Sequence, residues 1–171
     1  MSDRNLAMLA RRMLAEILAG QEPGPVDWDD APAGLFLTLR DASGRVRASI
    51  GTSRAEATGA ELLRRIARAA VGDDPRFPPL QAGELESLSV TLWELVDPRS
   101  VRGPEELRPD DAVRVERGRL SGVFLPENYV GETWDAAVFL RQACRRAGLE
   151  AEAWGDPETR LTAFRARRHD A

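Results

Sequence analysis

The stretch GLFLTLRDASGRVRASIGT, residues 34–52, constrains the fold more than any other part of the chain. Leu35, Leu37 and Leu39 alternate with Phe36, Thr38 and Arg40, and Val46, Ala48 and Ile50 alternate with Arg47 and Ser49. Strand side chains repeat every two residues, so each run has one apolar face and one wetter face. DASG carries turn chemistry between the runs, and the whole predicts an antiparallel β-hairpin. Arg47 and Ser49 then share the face opposite Val46, Ala48 and Ile50, and Gly51 follows where the strand stops.

The remaining segments read as helices and further antiparallel strands. Leu6, Leu9, Met13 and Ile17 recur at helical spacing, with Ser2 or Asp3 as cap and Gly20 as stop. Thr58 and Glu61 have the spacing of a capping box and open a helix ending near Gly72. DDPRFPPL, residues 73–80, reads as a rigid extended connector because proline fixes φ and removes a donor. ELESL reads as a short helical turn and LSVTLWELV as a strand, followed by a polar connector, DPRSVRGPEELRPDD. AVRVERGRLSGVFLP predicts a second hairpin turning near Gly118, and residues 134–147 a helix ended by Gly148. TRLTAFRARRHDA reads as a last strand fraying into a charged terminus. No βαβ rhythm and no internal repeat appear, so the fold class is α+β with mainly antiparallel sheet. At 171 residues the chain has room for one domain, 1–171, holding one core or two small lobes.

Composition narrows the function classes. The 24 basic residues are all arginine and the formal net charge is −4, which argues against the broad basic field of a backbone-driven nucleic-acid binder. One cysteine, Cys144, precludes an internal disulfide and points to a reducing compartment. The N-terminal stretch is too interrupted by charge for a signal peptide or membrane span, so the cytoplasm is the expected location. One cysteine and one histidine, His169, cannot build a structural zinc site, and His169 reads as an exposed tail residue. The acidic loop around Trp28 (Asp27, Asp29, Asp30) reads as solvated, and no metal or cofactor is called for. Cys144 falls on the apolar face of its helix, as a buried structural thiol does.

Arg47 and Ser49 stand out from this background. Arginine offers a planar fork for a carboxylate or phosphate, serine a further hydrogen bond, and Gly51 close backbone approach. The residues alone leave two readings open: an anion pocket, or an exposed polar sheet face.

Six segments, GRVRASIGT, DDPRFPPL, LSVTLWEL, RLSGVFLP, TWDAAVFLRQACRRAGL and a late W…RLTAF, resemble the AMMECR domain family in order and spacing from about residue 5 to residue 166. That family includes the A proteins of AmmeMemoRadiSam systems. The resemblance implies an antiparallel sheet flanked by helices, with a smaller sheet-bearing subdomain, here placed within about residues 53–110. It also implies association with a Memo-type protein and a radical-SAM enzyme. The family's hallmark, leucine-arginine-glycine-cysteine-isoleucine-glycine, falls on Val46 to Gly51. Arg47 and Gly51 are kept, Ala48 replaces a glycine and Ser49 replaces the cysteine. A serine hydroxyl with no visible base is a poor substitute for a thiol nucleophile.

Three functions follow in order. The first is an accessory protein of a Memo/radical-SAM type system, binding a small anionic or peptidic ligand at Arg47, Ser49, Gly51, Arg76 and Phe77. The second is a divergent group-transfer enzyme with Ser49 or Cys144 as nucleophile and Glu127, Tyr129 or Asp135 as base. The third is an RNA-binding module using Arg64, Arg65 and Arg68.

Overall fold

The computed structural model describes residues 5–171. Helix α1 (Leu6–Leu18) precedes strands β1 (Gly34–Arg40) and β2 (Val46–Thr52), and helix α2 (Gly59–Gly72) follows them. A 3-10 helix over Ala82–Ser87 leads into β3 (Ser89–Val101). Then come β4 (Asp111–Arg117), β5 (Leu120–Phe124), α3 (Ala136–Arg146) and β6 (Arg160–Asp170). The strands form one six-stranded sheet in the order β2-β1-β3-β6-β4-β5. The pairs β1–β2, β4–β5 and β4–β6 are antiparallel. This is the α+β class expected.

The chain divides into two compact units: one up to Glu94 together with Arg168–Ala171, the other Leu95–Arg167. In the first, Leu35, Leu37 and Leu39 of β1 are fully buried with Met13 and Leu14 of α1 and Leu62, Leu63 and Ala67 of α2. Each such leucine contributes about 1.5–3 kcal/mol by leaving water. In the second unit, Phe139, Leu140, Ala143 and Cys144 of α3 bury with Val113 and Val115 of β4 and Ala163 of β6.

Local chemistry sets the element ends. Thr58 and Glu61 form the anticipated capping box, the hydroxyl accepting from Glu61 N and the carboxylate from Thr58 N. Asp41 closes the β1–β2 turn by accepting from Ser43 N at 2.8 Å, Ser43 Oγ at 2.6 Å and Arg45 N at 3.1 Å. These bonds, that from the Ser43 hydroxyl foremost, hold its carboxyl down to about 2. Gly118, at φ 59°, turns β4 into β5.

Four expectations change. The cap proposed at Ser2 or Asp3 lies outside the described residues, and the N-cap of α1 is Asn5, whose side chain accepts from Met8 N at 3.0 Å. The 73–80 connector opens as a turn, with Phe77 N donating to Asp74 O. The supposed polar connector after Val96 is strand: β3 continues to Val101 through Asp97, whose φ of 51° makes an irregularity in which Pro98 is tolerated. The C-terminal strand does not fray at His169. Ala171 and Val90 exchange both backbone hydrogen bonds, at 2.8 and 2.9 Å, and His169 Nε2 is buried 3.5 Å from Glu94 Oε2. Glu94 stands on β3, which a sequence window of the last strand alone cannot show.

Candidate functional site

Strand β2 lies at one edge of the sheet, paired only with β1, with Ser49 opposite Thr38. The two hydroxyls meet at 3.0 Å, and Thr38 is buried. On the free side of the edge, Ser49 N donates to Asp74 Oδ2 at 3.0 Å, and Ser49 O accepts from Arg76 at 3.0 Å. Asp74 and Arg76 therefore satisfy both backbone groups of Ser49, as a neighbouring strand would, and blunt an edge open to pairing.

The same two residues bind each other. Arg76 grips Asp74 in a bidentate fork, Nε to Oδ1 at 2.9 Å and NH2 to Oδ2 at 2.8 Å, while its guanidinium lies 5.3 Å over the Phe77 ring. Asp74 is buried, and the hydrogen bonds from Arg76 hold its carboxyl far below the usual range. Arg47 makes the matching fork two residues earlier on β2. Its Nε and NH2 donate to Glu84 Oε1 and Oε2 at 2.8 and 2.9 Å, and NH2 also reaches Pro79 O at 3.4 Å. Glu84 takes a further bond from Gln81 N at 2.8 Å and is held below its ordinary range, chiefly by Arg47. The Glu84 side chain remains 37% exposed.

Gly51 is dictated by sterics. A Cβ there would stand 2.3 Å from Leu35 O and 2.5 Å from a Phe36 ring carbon, so β1 excludes any side chain. Ala48, where the hallmark has glycine, is buried opposite Leu39, leaving the other, half-buried face to Arg47 and Ser49.

The structure thus brings Arg47, Ser49, Arg76 and Phe77 into one constellation, with Gly51 on the same strand. Three partners were missed. Glu84 and Asp74 supply the carboxylates, and Thr38 meets the serine. Asp74 could have been found from its place two residues before Arg76, and Glu84 from the Gln81–Glu84 spacing that resembles a capping box. Neither signal says which arginine will be met.

The groups named for nucleophilic chemistry have structural duties. Cys144 is buried in the α3 core, and burial pushes its thiol up, away from the reactive thiolate. Asp135 caps α3 by accepting from Ala137 N and Val138 N. The Tyr129 hydroxyl donates to Thr133 O at 2.7 Å and accepts from Asp135 N at 3.1 Å, and its ring packs with Trp134 and Phe139. Arg68 pairs with Glu22. Among the described residues no group of three or more His, Cys, Asp or Glu is placed to hold a metal, and no helix is long and apolar enough to cross a membrane.

Comparison with known proteins gives a consistent picture. The AMMECR1 family profile matches residues 7–169. A protein of Thermococcus kodakarensis is 35% identical over 94% of this chain and 86% of its own length. One from Nanoarchaeum equitans is 32% identical over 94% of this chain and 95% of its own. The crystal structure of an uncharacterized protein from Pyrococcus horikoshii superposes with a TM-score of 0.81 at 32% identity, covering 95% of this chain and 88% of that one.

Proposed function

This chain belongs to the AMMECR1 family, and on that premise we propose that it is a cytoplasmic accessory protein that binds a carboxylate-bearing small or peptidic ligand at the β2 edge. Its partners are a Memo-type protein and a radical-SAM enzyme. The observation that carries the reading is the pair of guanidinium forks on either side of Ser49, each closed on a carboxylate. The site is already shaped for carboxylates, and the chain's own fill it.

The two forks differ in how readily a ligand displaces the resident group. Asp74 is buried and bound to Ser49 as well, so its fork is part of the scaffold. Glu84 is more than one third exposed on a short 3-10 helix, so an incoming carboxylate competes with it for Arg47. Ser49 then contributes a hydroxyl beside the ligand and no nucleophile, because its oxygen meets the Thr38 hydroxyl and no base. The group-transfer alternative draws less support for that reason.

The test is binding of the acidic peptide acetyl-Glu-Glu-amide, measured by calorimetry. Glu84→Gln strengthens binding about tenfold by weakening the internal competitor, and Arg47→Gln weakens it about tenfold. Equal binding by both variants and the parent, or none by any of them, overturns the reading. Co-elution with the Memo-type and radical-SAM proteins of the same genome tests the partners, and separate elution in every combination removes them.

A further inference from the structure

A second charged site stands in the other unit and owes nothing to the hallmark motif. A cleft of about 420 Å³ is lined by Asp97, Arg99, Arg108, Asp110, Asp111 and Arg165. The far half of β3 supplies Asp97 and Arg99. A turn closed by Asp111 N donating to Arg108 O supplies Arg108 and Asp110, and β6 sets Arg165 opposite Asp111.

One pair in this cleft is closed. Arg99 donates through both terminal nitrogens to the Asp111 carboxylate and through NH2 to Glu106 O at 3.2 Å. Asp111 is buried and also accepts from Arg108 N at 2.8 Å. The other four charges form no fork, although Asp110 lies near enough to Arg99 to help hold its guanidinium charged. Among the described residues, no ion pair or hydrogen bond engages the side chains of Asp97, Asp110, Arg108 or Arg165. That is unlike the exposed pairs Arg45–Asp41, Arg117–Asp156 and Arg141–Glu152, where opposite charges have found each other.

Two free guanidiniums and two free carboxylates that line one cleft without pairing select by sign. A phosphate would meet the two carboxylates and a divalent cation the two guanidiniums, so each gains from one pair and is repelled by the other. A molecule carrying both signs gains from both. We infer that the cleft binds a small zwitterion with an ammonium and a carboxylate, the end-group chemistry shared by a free amino acid and an unblocked short peptide. The carboxylate lies on the donor forks of Arg108 and Arg165, and the ammonium, with three donors, on Asp97 and Asp110. The volume is that of a small-molecule site. The lining lacks aliphatic and aromatic side chains, so the end groups are read and the ligand's own side chain is not. Asp97 reaches the cleft from a backbone with φ of 51°, a left-handed conformation rare outside glycine. Such an irregularity re-aims a strand residue beside a site.

The test is an amide chemical-shift titration of the whole chain with L-alanine, alanyl-alanine, and their one-sided relatives N-acetylalanine and alaninamide, alongside inorganic phosphate and magnesium. Both zwitterions produce saturable shifts at residues 97–99, 108–111 and 165 in the millimolar range. The one-sided compounds, phosphate and magnesium bind at least about tenfold more weakly. Whichever zwitterion saturates first identifies the source. Arg165→Gln and Asp110→Asn each weaken binding about tenfold while the spectrum elsewhere stays unchanged. The inference is overturned by an absence of saturable shifts, by equal binding of a blocked compound, or by variants that bind as the parent does.

Discussion

Around Ser49, Arg47 holds Glu84 and Arg76 holds Asp74, so the four charges at the β2 edge are closed on one another. In the cleft of the second unit only Arg99 and Asp111 are closed, and four charges of the same residue types stay apart. At the edge, Asp74 and Arg76 stand two residues apart after α2, and Glu84 on the 3-10 helix meets Arg47 of β2. The cleft charges stand on three separate elements whose backbones are fixed by strand pairing and by the turn before β4. Composition does not separate a closed cluster from an open one. Which elements the fold sets beside one another does.

That contrast can be broken by substitution, beginning with the largest effect. Asp111→Ala leaves Arg99 partly buried without its carboxylate and frees Arg108 N, and should cost about 3 kcal/mol in denaturant unfolding. A loss below 1 kcal/mol would mean that the closed pair in the cleft is not structural. Gly51→Ala forces a Cβ against Leu35 O and should cost about 2–3 kcal/mol, seen as a lower urea midpoint. An unchanged midpoint would show that β1 and β2 can separate at that point.

Asp74→Ala should cost about 2 kcal/mol, since it strips charged hydrogen bonds from Arg76 and Ser49. It also carries a pH signature. Asp74 and Glu84 are both held below their ordinary values, and a depressed carboxyl contributes stability above its unfolded pKa of about 4 that is lost as pH falls through the folded value. The parent should therefore lose stability progressively below about pH 5, and the variant should lose less. Parallel acid curves would assign acid sensitivity to other carboxylates.

Arg47→Gln opens the more exposed fork and should cost only about 1 kcal/mol while weakening acidic-peptide binding about tenfold. Smallest of all, Arg108→Gln and Arg165→Gln should change stability by less than about 0.5 kcal/mol, because neither side chain has a partner to lose. A larger loss would show that the open charges in the cleft stabilise the fold.

Much of the architecture was legible because it rests on local rules. Leu35, Leu37 and Leu39 announced β1, the Thr58–Glu61 spacing announced the start of α2, and Cys144 on an apolar stripe announced the α3 core. The candidate site was legible in part. Arg47 and Ser49 were placed on one face by period alone, and Arg76 and Phe77 were named with them. Asp74 and Glu84 were not, because a carboxylate 25 or 37 residues away in sequence from its partner leaves no periodic trace. The extension of β3 past Pro98 and the covering of His169 were hidden for a related reason: both depend on neighbouring strands.

By itself, then, the sequence determined the helices, the two hairpins, the α+β class, the family and the strand that carries Arg47 and Ser49. Each of these is written in residues a few positions apart. Only the tertiary structure decided that Arg47 is already occupied, that Ser49 faces a hydroxyl, and that Arg108 and Arg165 share a cleft with Asp97 and Asp110. Those outcomes depend on register and on which elements the fold sets side by side, and they arise between elements after the local rules have acted.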